Sequence, residues 1–176
     1  EDQIVLELPT WYDKKRYDNA RKFFWHYCFM FTTSMLFGLI GVLAIPSILT
    51  VLVASGRSTT KYTAYKRYLS TTLHTITWFD NELKPGSVSW RSLDAVRRRH
   101  VRAGLSAKSK ISGTVSQRDL ALTQLGFIGF AILKPNYFGI RAVTKDDWED
   151  YIHFWRTIGY MIGIEDRYCN LIGTDN

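Results

Sequence analysis

The residues best placed to do chemistry lie in residues 90–104, WRSLDAVRRRHVRAG. Read at helical period, Leu93, Val96, His100, Ala103 and Gly104 share one apolar stripe, with Arg97 three residues before His100. Arg91, Arg98 and Arg102 fall on the opposite side, where charge is solvated. An imidazole and a guanidinium are thus aimed at the interior of a helix that otherwise separates apolar from basic. Such a placement costs free energy unless the pair meets a hydrogen-bond acceptor, an anion or a metal. His100 is therefore either a core histidine bonded to a carbonyl or a ligand beside an anion-binding arginine. A second set lies earlier, in a helix from about residue 59 to 80. Arg67, Ser70, Thr71, His74 and Trp78 stack there on one face. The other face, Tyr62, Tyr65, Leu69, Leu73 and Ile76, is also apolar, so both sides are expected to be at least partly buried. A buried arginine needs an anionic partner, yet no Asp or Glu occurs from Asn19 to Phe79. The partner is distant in sequence, or it is not protein.

The elements that must position these residues read as helices. Residues 1–10 form an extended arm ending near Pro9, and a helix starts near Asp13. Residues 23–56 contain no Asp, Glu, Lys or Arg, a run long enough to span a membrane. Pro46, Gly38, Gly41 and the polar residues Thr32, Thr33 and Ser34 argue instead for two buried helices, near 20–44 and 46–54. Lys84-Pro85-Gly86 is a turn, and Ser87 or Ser89 caps the helix that holds His100. Residues 107–114 read as a polar loop. Ser116 with Asp119 makes a capping box that opens a helix over 117–133. That helix is apolar nearly all round and so is expected at the centre of the core; Pro135 stops it. Thr144 with Asp147 makes a second box, and the following helix runs to Gly163 with Trp148, Ile152, Trp155, Gly159 and Ile162 as its buried stripe. No strand pattern or repeat appears, so the class is all-α, and 176 residues make one domain by size.

Composition excludes several classes. Hydrophobic content of 46% with 15% aromatics rules out disorder. The net charge of +7, from 23 Lys and Arg against 16 Asp and Glu, suits an anionic membrane surface, nucleic acid, an anionic cofactor or simply a solvated basic face. Nucleic acid is the poorest of these: Arg97, Arg98 and Arg99 point to different sides of one helix, and no binding motif accompanies them or Lys108 and Lys110. Cys28 and Cys169 supply neither a disulfide framework nor a zinc spacing, and nothing supports a bridge between them. No phosphate loop, nucleophile elbow or zinc-protease motif is present. Asp146, Asp147, Glu149 and Asp150 are explained by a helix N-terminus, and His26 and His153 read as structural. No signal peptide is visible; the chain begins at Glu1, as a trimmed or processed chain would. What remains is His100 and Arg97 on one helix, facing Arg67, Thr71 and His74 on another, without acids. That set suits an iron porphyrin: an imidazole ligates the iron, and the two propionates are the anions the arginines lack.

Several motifs, in order, carry a family resemblance: Leu8-Pro9-x-Trp11-Tyr12-Asp13, Arg67-x-x-x-Thr71, Arg97-x-x-His100, Ser116-Gln117-Arg118-Asp119, and Ile158-Gly159-Tyr160 through Ile164-Glu165-Asp166. Together they resemble the rubber oxygenase catalytic domain family. That family includes bacterial latex-clearing proteins and the ER-bound oxygenase that shortens a farnesyl chain in mycophenolic acid synthesis. The resemblance implies globin-like helical packing, b-type haem, and O2-dependent oxidation of an apolar, isoprenoid-like substrate. It makes His100 the axial iron ligand, Arg97 a haem-supporting residue, and Arg67 with Thr71 the catalytic wall of the distal pocket. His74, from its place on the same face, is grouped with the cofactor pocket. Two positions depart from the latex-clearing pattern. Ser70 stands where those proteins have a lysine, and no glutamate occupies the preceding apolar region. Haem binding therefore carries over better than rubber cleavage, and a non-catalytic haem- or lipid-binding protein stays open. So does a haem-free membrane-associated helical protein. Family domains continue beyond the equivalent of Asn176, which implies a partial domain. Both an ER-membrane and a secreted location are compatible with the sequence.

Overall fold

The computed structural model describes residues 6–56, 58–111 and 115–169, and every regular element among them is helical. In chain order these are α1 (Lys14–His26), α2 (Cys28–Val42), α3 (Pro46–Ala54), α4 (Lys61–Asp80), α5 (Val88–Ile111), α6 (Gln117–Leu133), α7 (Lys145–Ile162) and α8 (Asp166–Cys169), with a 3-10 turn at Pro135–Phe138. The all-α class is as the sequence indicates.

Most starts obey local chemistry. Asp13 Oδ1 accepts from the backbone N–H of Lys15 and Arg16 at 2.8 and 3.2 Å, leaving fewer orphan donors on the first turn of α1. Reciprocal capping boxes start α4 (Thr60, Thr63), α6 (Ser116, Asp119) and α7 (Thr144, Asp147). Ser87 Oγ accepts from the Trp90 N–H at 3.1 Å at the start of α5. Gly163 ends α7 at φ 100°, in the left-handed region that only glycine enters freely.

The core is an aromatic stack between α1, α2, α4 and α7. Phe79 is sandwiched between Phe24 and Phe154, with ring centroids 3.8 and 4.0 Å away and planes within 4 and 9° of parallel. Tyr17, Phe31, Tyr151 and Trp155 close around it, all essentially sealed from solvent. α6 crosses α2 backbone to backbone: a Cβ on Gly38 would lie 1.7 Å from the Gly126 carbonyl oxygen.

Five expectations need correction. The apolar run does not begin as one helix near 20–44. α1 ends at His26, and α2 leaves at 92° to it. Tyr27 makes the corner, its N–H shared between the carbonyls of Phe23 and Phe24 and its hydroxyl donating to the Arg141 carbonyl. No single helix among the described residues is long and apolar enough to cross a membrane; α1 and α2 pass only as this bent pair. Nor are α2 and α3 buried throughout: α3 buries only Ile48, and Phe29, Phe37, Ile40, Leu49 and Val53 are exposed. α6 is central on one side only. Ala121, Ile128, Gly129 and Ala131 are buried, whereas Leu125, Phe130 and Leu133 face outward. On α7 the buried face is wider than one stripe and includes Tyr151, Phe154 and Ile158. It also includes His153, whose Nε2 accepts from the Asp13 N–H at 3.1 Å. Finally, α5 runs on to Ile111, through most of the expected 107–114 loop, whose residues 112–114 lie outside the described residues, as do residues 1–5 of the expected arm.

Candidate functional site

The site is built from the α4–α5 hairpin, which is held together rung by rung. At its closed end Ser89 Oγ lies 3.1 Å from the carbonyls of both Thr77 and Asn81, to either of which it can donate. One turn further, Ser92 Oγ accepts from Trp78 Nε1 at 2.9 Å and meets His74 Nδ1 at 2.7 Å. The next rung is Arg99 Nη1 to His74 Nε2 at 2.9 Å. These contacts fix the His74 tautomer. A guanidinium only donates, so Nε2 must be the acceptor, and the proton sits on Nδ1, donated to Ser92 Oγ. Burial, and then the Arg99 charge, hold the His74 pKa below its usual value, so the neutral ring is the resting form.

His100 lies one residue beyond Arg99. Its Nδ1 is sealed from solvent and has no hydrogen-bond partner. Burial lowers its pKa, and the Arg67 charge lowers it further, which places the Arg67 guanidinium within electrostatic reach of the ring. Arg67 also donates from Nη1 to Ser58 Oγ at 3.1 Å. Thr71 sits between Arg67 and His74 on the same α4 face, half-buried, its carbonyl accepting from Thr75 Oγ1 at 3.1 Å. Arg67, Thr71, His74 and His100 are thus gathered along one hairpin. Arg97 is not. It turns toward the C-terminal end of α7, where Nη1 donates to the Met161 carbonyl at 3.2 Å and the guanidinium packs beside Gly163. That end of a helix is partially negative, so it serves the cation without a carboxylate.

Two residues of the network escape sequence reasoning. Ser92 belongs to no motif, and Arg99 reads as one more surface arginine. The signal available was their spacing: Ser89, Ser92, Arg99 and His100 recur on the side of α5 that an α4 neighbour would meet. Among the described residues no group of three or more His, Cys, Asp or Glu side chains could hold a bare metal ion. The hairpin therefore offers single imidazoles, the donor set suited to a metal already held in a macrocycle. Of the two, His74 has both nitrogens engaged, while His100 keeps Nδ1 unused. The donor chemistry at His100 fits a haem iron: the ring is neutral, one nitrogen is unpartnered, and a cation lies nearby. Because Nδ1 is sealed, a haem iron would reach it only if the packing over it opened. A shallow cleft of about 320 Å3 lies alongside, lined by Lys66, Leu69, Ser70, Leu73, His74 and Thr77.

Comparison with known proteins bears on the whole of this hairpin. A rubber oxygenase of Streptomyces sp. (strain K30) is 32% identical over 74 residues, which is 40% of this chain and 18% of that protein. The match therefore spans less than a fifth of that relative. No solved structure matches the chain significantly. The family model described as "ER-bound oxygenase mpaB/B'/Rubber oxygenase, catalytic domain" matches residues 21–170, from α1 past the end of α8 and through the entire α4–α5 hairpin. With most of its length matched, the chain belongs to the ER-bound oxygenase mpaB/B'/rubber oxygenase catalytic-domain family.

Proposed function

We propose that residues 1–176 act as one oxygenase-family domain that binds b-type haem and uses O2 to oxidise an apolar, isoprenoid-like substrate. The observation that carries this reading is the sealed, unpartnered Nδ1 of His100 in a chain of an oxygenase family. A buried polar atom without a partner is costly in a native protein and calls for an explanation; an iron ligand supplies one. Haem, when bound, supplies the iron chemistry that activates O2. The protein's own residues do the rest. His100 holds the metal through a ring kept neutral by burial and by Arg67. Arg67 offers a cation for a carboxylate of the cofactor or for an oxygen-centred charge. Thr71 brings a hydroxyl to the same wall, and the His74–Ser92–Trp78 network fixes α4 against α5. Arg97 contributes by anchoring the His100 helix to the end of α7.

The test is the absorption spectrum. Protein purified with its native cofactor, or reconstituted with haemin, shows a Soret band at one haem per chain, and His100→Ala loses it. A chain that stays colourless and forms no stoichiometric haemin complex refutes the reading. Two observations favour a second reading, a haem- or lipid-binding protein without turnover: among the described residues no carboxylate lines the cleft beside His74, and Ser70 stands where latex-clearing relatives have lysine. Oxygen uptake with an isoprenoid hydrocarbon separates the two, since only the oxygenase consumes O2 in proportion to substrate.

A further inference from the structure

Among the described residues nothing covers the outer face of α4. Tyr62, Tyr65, Leu69 and Leu73 are 63, 63, 42 and 54% exposed, and their spacing draws one row along most of the helix. Single exposed apolar residues are ordinary, but a continuous row of large ones marks a surface with a partner. The flanks identify the partner. Lys61 and Lys66 border the row, with Lys66 Nζ 4.5 Å from the Tyr62 ring centroid. From Asn19 to Phe79 the sequence carries Arg21, Lys22, Arg57, Lys61, Lys66 and Arg67 and no acid at all. A second copy seated on this face would bring lysine against lysine with no carboxylate to meet them, which disfavours self-association. The neighbouring cleft opens beside Lys66 and Leu69, is free of acids, and has the Arg99–His74 pair at its edge.

We propose that α4 lies in the plane of an anionic lipid surface, its apolar row in the acyl boundary and Lys61 and Lys66 on the head-group phosphates. Each component has the chemistry of that interface. Tyrosine places an apolar ring and a polar tip at head-group depth. Lysine lays its methylenes along apolar surface and lifts its charge to the phosphates. A helix with one apolar face and cationic flanks, without acids, binds anionic bilayers from the side. α2 and α3 likewise expose Phe37, Ile40, Leu49 and Val53, and residues 23–56 hold no charge. The proposal stands apart from the haem reading, because its assay needs no cofactor.

The experiment is co-sedimentation of the full chain with phosphatidylcholine vesicles, with and without phosphatidylserine at about one lipid in three. The chain is expected to sediment with the anionic vesicles, to bind far less to phosphatidylcholine alone, and to release at high salt. Lys61→Gln and Lys66→Gln each lower the partition coefficient about fivefold, and Leu69→Glu with Leu73→Glu abolishes binding while far-UV circular dichroism stays unchanged. Should the glutamate pair unfold the chain, the two exposed lysine variants still decide. Absence of sedimentation overturns the proposal, as does binding that ignores phosphatidylserine or the lysines. A dimer that the glutamate pair dissociates, without vesicle binding, assigns the face to a second copy and overturns it too.

Discussion

Replacing His100 with leucine separates a ligand nitrogen from an ordinary core residue by the sign of the stability change. Nδ1 is sealed and unpartnered, and a buried polar atom in that state costs about 1–3 kcal/mol. Leucine is of comparable size, carries no polar atom, and as a roughly volume-conserving replacement costs at most about 1.5 kcal/mol in shape mismatch. The cofactor-free variant is therefore expected to range from about 0.5 kcal/mol less stable to about 3 kcal/mol more stable than the parent. For a chain of 176 residues, 1 kcal/mol moves Tm by about 2–4 °C, so the cofactor-free variant melts from about 2 °C below to about 12 °C above the parent. The same variant, titrated with haemin and followed in the Soret region, loses the stoichiometric complex. A histidine kept for packing and hydrogen bonding behaves in the opposite way: its loss lowers Tm and leaves haemin binding as it was. Thermal melts of the cofactor-free proteins and one haemin titration give both readings. A variant melting about 4 °C or more below the parent, with haemin binding intact, refutes the assignment.

The histidines also set a pH dependence. His74, His100 and His153 are all held below the ordinary imidazole value of 6.5, in each case first by burial and then by Arg99, Arg67 and Arg16 respectively. Below that pH the unfolded chain takes up protons that the folded chain refuses. Stability is therefore complete above about pH 6.5 and falls as pH is lowered; a Tm profile flat between about pH 8 and pH 5 contradicts it. Gly38→Ala places a Cβ 1.7 Å from the Gly126 carbonyl oxygen. The overpacking cost of about 1–3 kcal/mol or more outweighs the roughly 1 kcal/mol helix-propensity gain, so the urea midpoint should drop. Ser92→Ala strands the Trp78 and His74 N–H donors and is expected to cost about 2 kcal/mol, with a changed tryptophan signal in near-UV circular dichroism. Thr144→Ala removes one half of the α7 capping box and should cost about 1 kcal/mol without touching haemin binding.

How much of this was legible in the sequence depended on whether the signal was local. Capping boxes at Ser116–Asp119 and Thr144–Asp147, the stop at Pro135 and the inward phase of His100 are written within four residues of one another, and they hold. The corner at Tyr27 is not local. It rests on a hydroxyl reaching Arg141, more than a hundred residues away, and no periodicity announces it. Burial of α2, α3 and the Tyr62–Leu73 face was overestimated for a related reason. Apolar composition says that a surface seeks cover, not what covers it. Arg97 shows the same limit at the site. Its position beside His100 was evident, but its acceptor is a helix-end carbonyl on α7, and carbonyls carry no sequence signature. Ser92 and Arg99 became visible only once α4 and α5 were set against each other.

The charge layout connects these observations. On α1 and α7 the cations meet acids: Arg16 pairs with Glu149 and Asp150, and Lys14 with Asp18. On α5 Arg98 also meets an acid, Asp94, but its neighbours do not. Arg97 settles on a carbonyl and Arg99 on an imidazole nitrogen, and no carboxylate among the described residues forms an ion pair with either. Carbonyl and imidazole acceptors satisfy the hydrogen-bonding needs of a guanidinium but leave its charge unneutralised. That residual positive field disfavours further protonation of nearby rings, so the arginines and burial act on His74 and His100 in the same direction. A ligand imidazole must keep a lone pair, and an anion-binding wall must keep its charge. In the proposed reading both conditions follow from one arrangement, because the Arg67 charge that would receive an anion also lowers the His100 pKa and so favours its neutral form.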